Sequence, residues 1–413
     1  MLVQFSLVWL VYTISAVLSA PTVSLVSNNE LDARGIYFVS YDGLVNVNSF
    51  QLSGVLTHGS YQYAAWYTSS RYAILARRPV NSTGVWTTLQ LPRQLSTNDS
   101  HNVITLVVYY TVSEAGLSTN GASWVASRFG SVTTTLSGLG VGSQVTYPQF
   151  VITPDNNLQF VYRSGVSGNG ATQLAEYRNG AWSNVGSWAS SSGAYTSTNG
   201  VRSNARNLYI HGFTYRNGRL HVTGTWREQA GGVMCNNGGL TNHDTVPGII
   251  VDSLNADHGL MNQESQDVDS DGQIHAIISY VPGRFTQCVT SYQRDRTSYA
   301  RSFHVFRSSN GTFTKMEIPF ALNSVGRSQI VMDAQDNVYV VLPFVRVVTA
   351  SKSSGWTDWT MAYDGAAQGL NAFGEVTVDR AGVSNGVLSI LYQVKSSGTT
   401  PSSVRLLNLR LNG

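Results

Sequence analysis

Apolar and polar side chains alternate along nearly the whole chain, and no window sustains the helical period of about 3.6 residues. One pattern returns seven times: a β-rich run, a tight turn of Asn, Asp, Gly or Ser, and a second β-rich run. The turn centres lie near Ser69, Asn120, Asn156, Asn217, Asp271, Asp336 and Asn385, with gaps of 36 to 65 residues. Those gaps are uneven, but each could hold a four-stranded blade, and radial repetition of blades leaves only short, protected edges. The pattern therefore predicts an all-β chain folded as a single seven-bladed β-propeller over residues 21–413. A parallel β-helix would need shorter and more regular repeats.

The first residues change the picture. Leu2 to Leu18 are apolar with few breaks and are followed by Ser19, Ala20 and Pro21, which predicts a signal peptide over residues 1–20 and a secreted, extracellular protein. No other stretch is long and apolar enough to suggest a membrane partner. In an oxidising compartment Cys235 and Cys288, the only two cysteines, are expected to pair. Asn81, Asn98 and Asn310 each open an N-glycosylation sequon. Charged residues make up 12% of the chain and the net charge is only +3, too small for a phosphate-tracking surface, so nucleic acid is not an expected partner. A monomer is expected.

The repeat gives geometry before chemistry. If each hairpin supplies a blade's first two strands, its turn lies on one face of the disc. The start of the first strand and the end of the second then gather on the other, the loop face. This places His58, Gln62, Arg77, Arg78, His101, Asn102, Tyr147 and Arg163 there. Arg206, Tyr209, Arg227, Asn262, Gln263, Glu264 and Arg327 join them. The set is cationic, aromatic and rich in amides, which suits an acidic glycan. His58, Gln62, Arg78, Asn102, Arg206, Tyr209, Arg227, Asn262 and Arg327 are expected to bind substrate. His221 and His275 lie just past turns, face away and read as structural.

Cleavage of a uronic-acid polysaccharide by elimination needs a neutralised carboxylate, a base for the C5 proton and an acid for the departing O4. Arg binds a carboxylate through two parallel hydrogen bonds. His titrates near neutral pH, and Tyr can pass a proton. Arg163, His101 and Tyr147 supply those three types from neighbouring hairpins. No cofactor is required for such chemistry. Asp267-Val-Asp-Ser-Asp-Gly272 opens like a calcium loop, but its twelfth position is Ile278 rather than Glu, which leaves at most a structural calcium ion. The glycine-rich stretches near Gly138 and Gly165 are not followed by helix patterns, so dinucleotide binding is not expected.

The ordered stretches HGSYQYAAWY, DSHN, TYPQF, VYRSGVSGNG, LHVTGTWRE and NQESQDVDSDG resemble the propeller-fold polysaccharide lyases, from about His58 to His275. These are the ulvan lyase-like enzymes, including the fungal rhamnose–glucuronate lyases. The resemblance implies a catalytic His at His101, a Tyr at Tyr147 and a carboxylate-neutralising Arg at Arg163. LSTNGASW carries no His where ulvan-type members have a second one, so the chain is more similar to the fungal type. The implied partner is an acidic plant or algal polysaccharide, cut to leave a 4,5-unsaturated uronate. Two alternatives stay open. A sialidase-like hydrolase needs a carboxylate pair and usually Asp-box turns, yet SSNGTFTK and RNGAWSN lack the Asp. A non-catalytic glycan-binding propeller needs neither.

Overall fold

The computed structural model describes residues 20–413 apart from 38, 41–42, 45, 48–53, 97–112, 115, 118–123, 132–135, 137–138, 140–144, 167–168, 197–201, 229–238, 242–258, 260, 262, 284–291 and 399. The chain enters through β1 (Thr22–Gly35) and the two-residue pair β2 (Val39–Ser40) and β3 (Gly43–Leu44). Sheet A holds β4 (Val55–His58), β5 (Tyr61–Tyr67), β6 (Tyr72–Pro79) and β7 (Thr87–Gln94). Sheet B holds β8 (Val145–Ile152), β9 (Leu158–Val166), β10 (Asn169–Arg178) and β11 (Ala181–Ala189). Sheet C holds β12 (Ser192–Thr196), β13 (Arg202–Arg216), β14 (Arg219–Glu228) and β15 (Gly239–Thr241). Sheet D holds β16 (Ser265–Val268), β17 (Ile274–Tyr280), β18 (Arg301–Arg307) and β19 (Phe313–Glu317). Sheet E holds β20 (Gln329–Met332), β21 (Val338–Leu342), β22 (Arg346–Ala350) and β23 (Thr360–Asp364). In sheet F, β24 (Thr377–Asp379), β25 (Val387–Gln393) and β26 (Ser402–Asn412) are completed by β1, which pairs with β26 from Thr22↔Asn412 to Gly35↔Ser402.

The result is an all-β propeller. Six four-stranded antiparallel sheets lie among the described residues, rather than the seven expected; the expected hairpin around Asn120 falls outside them. Sheets B to F contact one another in order, and β24 touches β4 to bring sheet F against sheet A. The largest apolar cluster joins sheets E and F through Val331, Tyr339, Val341, Val347, Val378, Ile390 and Leu407. There β21 is buried throughout, whereas β5 alternates buried and half-buried positions. One element departs from the sequence reading: α1 (Tyr292–Tyr299), a helix inserted between β17 and β18. No helix among the described residues is long and apolar enough to cross a membrane.

A repeated turn explains the legible pattern. Asn157 N donates to Thr153 Oγ1 (3.0 Å), Gln273 N to Asp269 Oδ1 (2.6 Å) and Asn337 N to Asp333 Oδ1 (2.9 Å). Each turn carries a left-handed residue, Asn156 (φ 61°), Gly272 (φ 80°) or Asp336 (φ 61°), the residue types that tolerate it best. These turns share one face. Asn217 Nδ2 reaches Ser270 O at 3.0 Å, and Ser270 N and Oγ reach the Asp336 carboxylate at 2.8 and 2.6 Å.

Sheet A corrects the sequence reading. The turn after β5 is of the same kind, with Tyr72 N on Thr68 Oγ1 at 3.3 Å and Arg71 at φ 70°. Yet β5 is the second strand of its sheet. Near its start, Gln62 Nε2 donates to Asp379 Oδ2 (3.0 Å), and Asp379 Oδ1 in turn accepts Gly382 N (3.0 Å) inside the β24–β25 turn. At its end, Tyr67 N bonds Asn46 Oδ1 (2.7 Å), and Asn46 Nδ2 meets Gln393 Oε1 (3.4 Å) at the far end of β25. So β5 runs from the turn face to the loop face. His58, Gln62 and Arg78 therefore lie at the turn end, not on the loop face.

Candidate active site

The loop-face end of sheets B and C gathers the expected Tyr147, Arg163 and Tyr209. In β8 the register slips between Thr146 and Gln149, so Tyr147 and Pro148 form a bulge. Tyr147 there adopts φ 51°, although a bulky residue before proline favours extended backbone. Such strain costs about 1–3 kcal/mol and collects where a side chain must be aimed. Here the aim is at Arg163, near the end of β9. Its guanidinium carbon lies 4.5 Å from the Tyr147 ring centre and 4.6 Å from that of Tyr209, while the two rings meet edge-on at 5.2 Å.

Arg163 is 3% exposed. Its Nε donates to Thr146 Oγ1 at 2.9 Å, but Nη1 and Nη2 are buried with no hydrogen-bond partner among the described residues. A buried cation with two idle donors is costly unless something else supplies acceptors. The two nitrogens are parallel and match a carboxylate. They are enclosed beside two rings, of which Tyr147 is half-buried and Tyr209 is 1% exposed.

Gly170 makes room for this Arg. A Cβ at that position would lie 2.7 Å from Arg163 Cγ and 2.9 Å from Ser164 O. Gly170→Ala is therefore expected to displace the guanidinium. If Arg163 binds the reacting group, turnover should fall about 10- to 100-fold without any contact between residue 170 and substrate. A steady-state comparison with wild type checks this.

The neighbouring end of sheets C to F holds groups that the sequence reading named or missed. Arg327 is at this end, but its N and Nη1 are held on Glu375 Oε1 at 2.9 and 2.8 Å. His211, not foreseen, sits in a bulge of β13 between Ile210 and Gly212. Its Nδ1 accepts Glu264 N at 2.9 Å, and Nε2 pairs with Thr225 Oγ1 at 3.0 Å. The bulge is the signal that strand alternation hides, because the extra residue turns its side chain out of step. Burial pushes His211 down to about 4. Burial pushes Glu264 up to about 7, against the opposing pull of Ser279, Arg296, Ser328 and Arg327.

These shifts have opposite signs. Unfolded His takes a proton near pH 6.5 while His211 resists, so stability falls as pH drops from 6.5 towards 4. Glu264 keeps its proton in the folded chain up to about 7 against 4.5 otherwise, so stability falls as pH rises across that window. At about 1.4 kcal/mol per pH unit, each contribution is on the order of 3 kcal/mol. Glu264→Gln should remove the second, so that urea-unfolding stability relative to wild type improves by roughly that amount from pH 4.5 to 7.5.

His101, Asn102 and Asn262 lie outside the described residues, as do Cys235, Cys288 and Asn98. The side chains of Arg206 and Arg227 do as well. Asn81 and Asn310 are exposed. The carboxylates of the calcium-like turn are engaged internally: Asp267 accepts Met332 N, Asp269 caps Gln273 N and Asp271 meets Lys352. Among the described residues no group of three His, Cys, Asp or Glu is placed to hold a metal ion.

A family model described as BNR repeat-containing family member matches residues 61–111, 107–246 and 245–321. The fold is similar to that of polysaccharide lyase Uly1, with 14% identity, a TM-score of 0.59 and coverage of 94% of this chain and 100% of the other. A PL25 ulvan lyase is also similar, with 12% identity, a TM-score of 0.55 and coverage of 91% and 94%. The PL25 ulvan lyase bound to -[GlcA(1-4)Rha3S]- is similar too, with 10% identity, a TM-score of 0.53 and the same coverage. A search of the curated proteins found no match.

Proposed function

This chain belongs to the BNR repeat-containing family, and from that premise we propose that it is a secreted polysaccharide lyase cleaving a rhamnose–glucuronate linkage by β-elimination. The observation that carries the reading is Arg163, a buried guanidinium framed by two tyrosine rings whose terminal nitrogens have no hydrogen-bond partner among the described residues. The fold shared with polysaccharide lyases, one of them holding a glucuronate-containing ligand, supports it. The proposal includes a seventh blade, supplied by the chain between β7 and β8, that brings His101 and Asn102 to the loop face. It also includes a disulfide between Cys235 and Cys288 and a monomeric, extracellular protein.

In this reading the uronate carboxylate replaces Tyr147 over Arg163 and accepts from Nη1 and Nη2. Its charge is neutralised, and the C5 proton becomes acidic. His101 takes that proton, the C5–H electrons form the C4=C5 double bond, and the C4–O4 bond breaks. Tyr147, next to the bound carboxylate, gives a proton to O4. Arg163 also stabilises the enolate-like charge that builds in the transition state. A sialidase-type hydrolase would need a reachable carboxylate pair; among the described loop-end carboxylates, Glu264 and Glu375 are 0% and 1% exposed, Glu375 is tied to Arg327, and the open Glu317 faces Arg301.

Incubation with gum arabic or a related glucuronate-bearing glycan should raise ultraviolet absorbance as the conjugated double bond forms. New reducing ends without that absorbance would mean hydrolysis. No product at all, with glycan affinity retained by His101→Ala, would leave a binding propeller.

A further inference from the structure

The one α-helix among the described residues builds something that the elimination chemistry does not use. Between β17 and β18 the chain makes an excursion from Val281 to Ala300 that ends in α1. The corresponding step in sheet E takes only the three residues between Leu342 and Arg346. The helix α1 is anchored by its Arg296, which is 1% exposed and whose Nη1 donates to Gly259 O at 2.7 Å and Ser279 O at 3.3 Å.

The described residues at the two ends of the excursion wall one side of a cleft of about 520 Å³ at the loop end of sheet D, lined by Val281, Pro282, Gly283, Tyr299, Arg301 and Glu317. Tyr299, the last residue of α1, is 57% exposed, while Val281 is buried at 4%. Across from them, Arg301 Nε faces Glu317 Oε1 at a loose 3.5 Å, with both side chains partly open to solvent. Arg301 Nη1 is committed to Ala300 O at 3.0 Å, and Nη2 has no partner among the described residues.

We infer that this cleft is a second, non-catalytic glycan site that takes one pyranose of the polysaccharide chain. A sugar ring offers an apolar C–H face and a rim of hydroxyls. Tyr299 supplies an amphipathic plane for the first. Arg301 and Glu317 offer donors and acceptors that vicinal hydroxyls can bridge. A rigid aromatic beside a few convergent polar groups in a concavity is the usual make-up of a small-ligand site. The cleft opens on the same face as Arg163, so a polymer can be held at the rim while another of its residues is cut. The site rests on the proposed glycan substrate but not on the elimination step.

Affinity electrophoresis in gels containing gum arabic tests it with an inactive background, Arg163→Met. That variant should be retarded, and adding Tyr299→Ala with Glu317→Gln should weaken the apparent affinity at least about fivefold. Both added positions are at the surface, and circular dichroism confirms an unchanged fold. In the active background, the cleft substitutions should raise KM on polymer several-fold and leave kcat/KM on a rhamnose–glucuronate disaccharide unchanged. Unaltered retardation, or no retardation of the parent, overturns the proposal. Cleft-dependent retardation in a protein that never forms unsaturated product would sink the lyase reading and keep the cleft.

Discussion

Arg163→Met should lower kcat/KM for elimination by about a thousandfold, while the thermal midpoint holds or rises. Those two outcomes belong together. An Arg kept for stability would have its donors satisfied, and deleting it would unfold the chain. Arg163 uses its Nε, and among the described residues its two buried terminal nitrogens have no partner. Met keeps the bulk between Tyr147 and Tyr209 and makes favourable sulfur–aromatic contacts without any buried charge. Arg163→Lys should lose nearly as much activity, because an ammonium cannot grip a carboxylate in two-point fashion. Calorimetry beside a continuous absorbance assay decides the matter. Retained turnover removes Arg163 from the chemistry, and a collapsed midpoint makes it a structural residue.

Asp379→Ala should have the largest effect on stability, about 3–5 kcal/mol. Asp379 is fully buried where sheet F meets sheet A. Its carboxylate accepts Thr57 N at 3.0 Å, Thr57 Oγ1 at 2.5 Å, Gln62 Nε2 at 3.0 Å and Gly382 N at 3.0 Å. Removing it leaves Thr57 N, Thr57 Oγ1 and Gly382 N without this acceptor, while Gln62 Nε2 keeps Ser389 Oγ at 2.9 Å, and donors stripped of partners cost more than the hydrogen bonds themselves are worth. Asp379→Asn keeps part of the acceptor capacity and should recover roughly half the loss. Urea titration followed by tryptophan fluorescence measures both. A change below about 1 kcal/mol for Asp379→Ala would show that the seam is held by apolar contacts alone.

Much of the fold was legible because the turns carry it. Asp269, Asp333 and Thr153 cap their own hairpins through local hydrogen bonds, so the residue types needed are fixed within five positions of chain. The same locality misled the reading of sheet A. Thr68 to Tyr72 forms the same kind of turn, but it lies on the loop face, because β5 runs towards that face. Period-two alternation has no direction, and only contacts over 300 residues away, Gln62 to Asp379, show which face the turn lies on. That is why His58, Gln62 and Arg78 were drawn to the wrong end, whereas Tyr147, Arg163 and Tyr209 meet. The bulges at Tyr147 and His211 and the space left by Gly170 were not legible, since each depends on a neighbouring strand. The helix α1 was missed for a plainer reason: YQRDRTSY has no apolar stripe and is held by buried Arg296.

Sheet F is stitched from both ends of the chain, with β1 lying along β26 over its whole length. During synthesis β1 therefore lacks its ladder partner until β26 emerges, and the ring of sheets stays an open arc until then. Exposed edges on β1 and β25 would be bared throughout that interval, as they would after any proteolytic clip ahead of Ser402. A chain shortened by its final dozen residues is thus not a slightly smaller version of the protein. It is a sticky, unlatched one, fit for aggregation rather than for work.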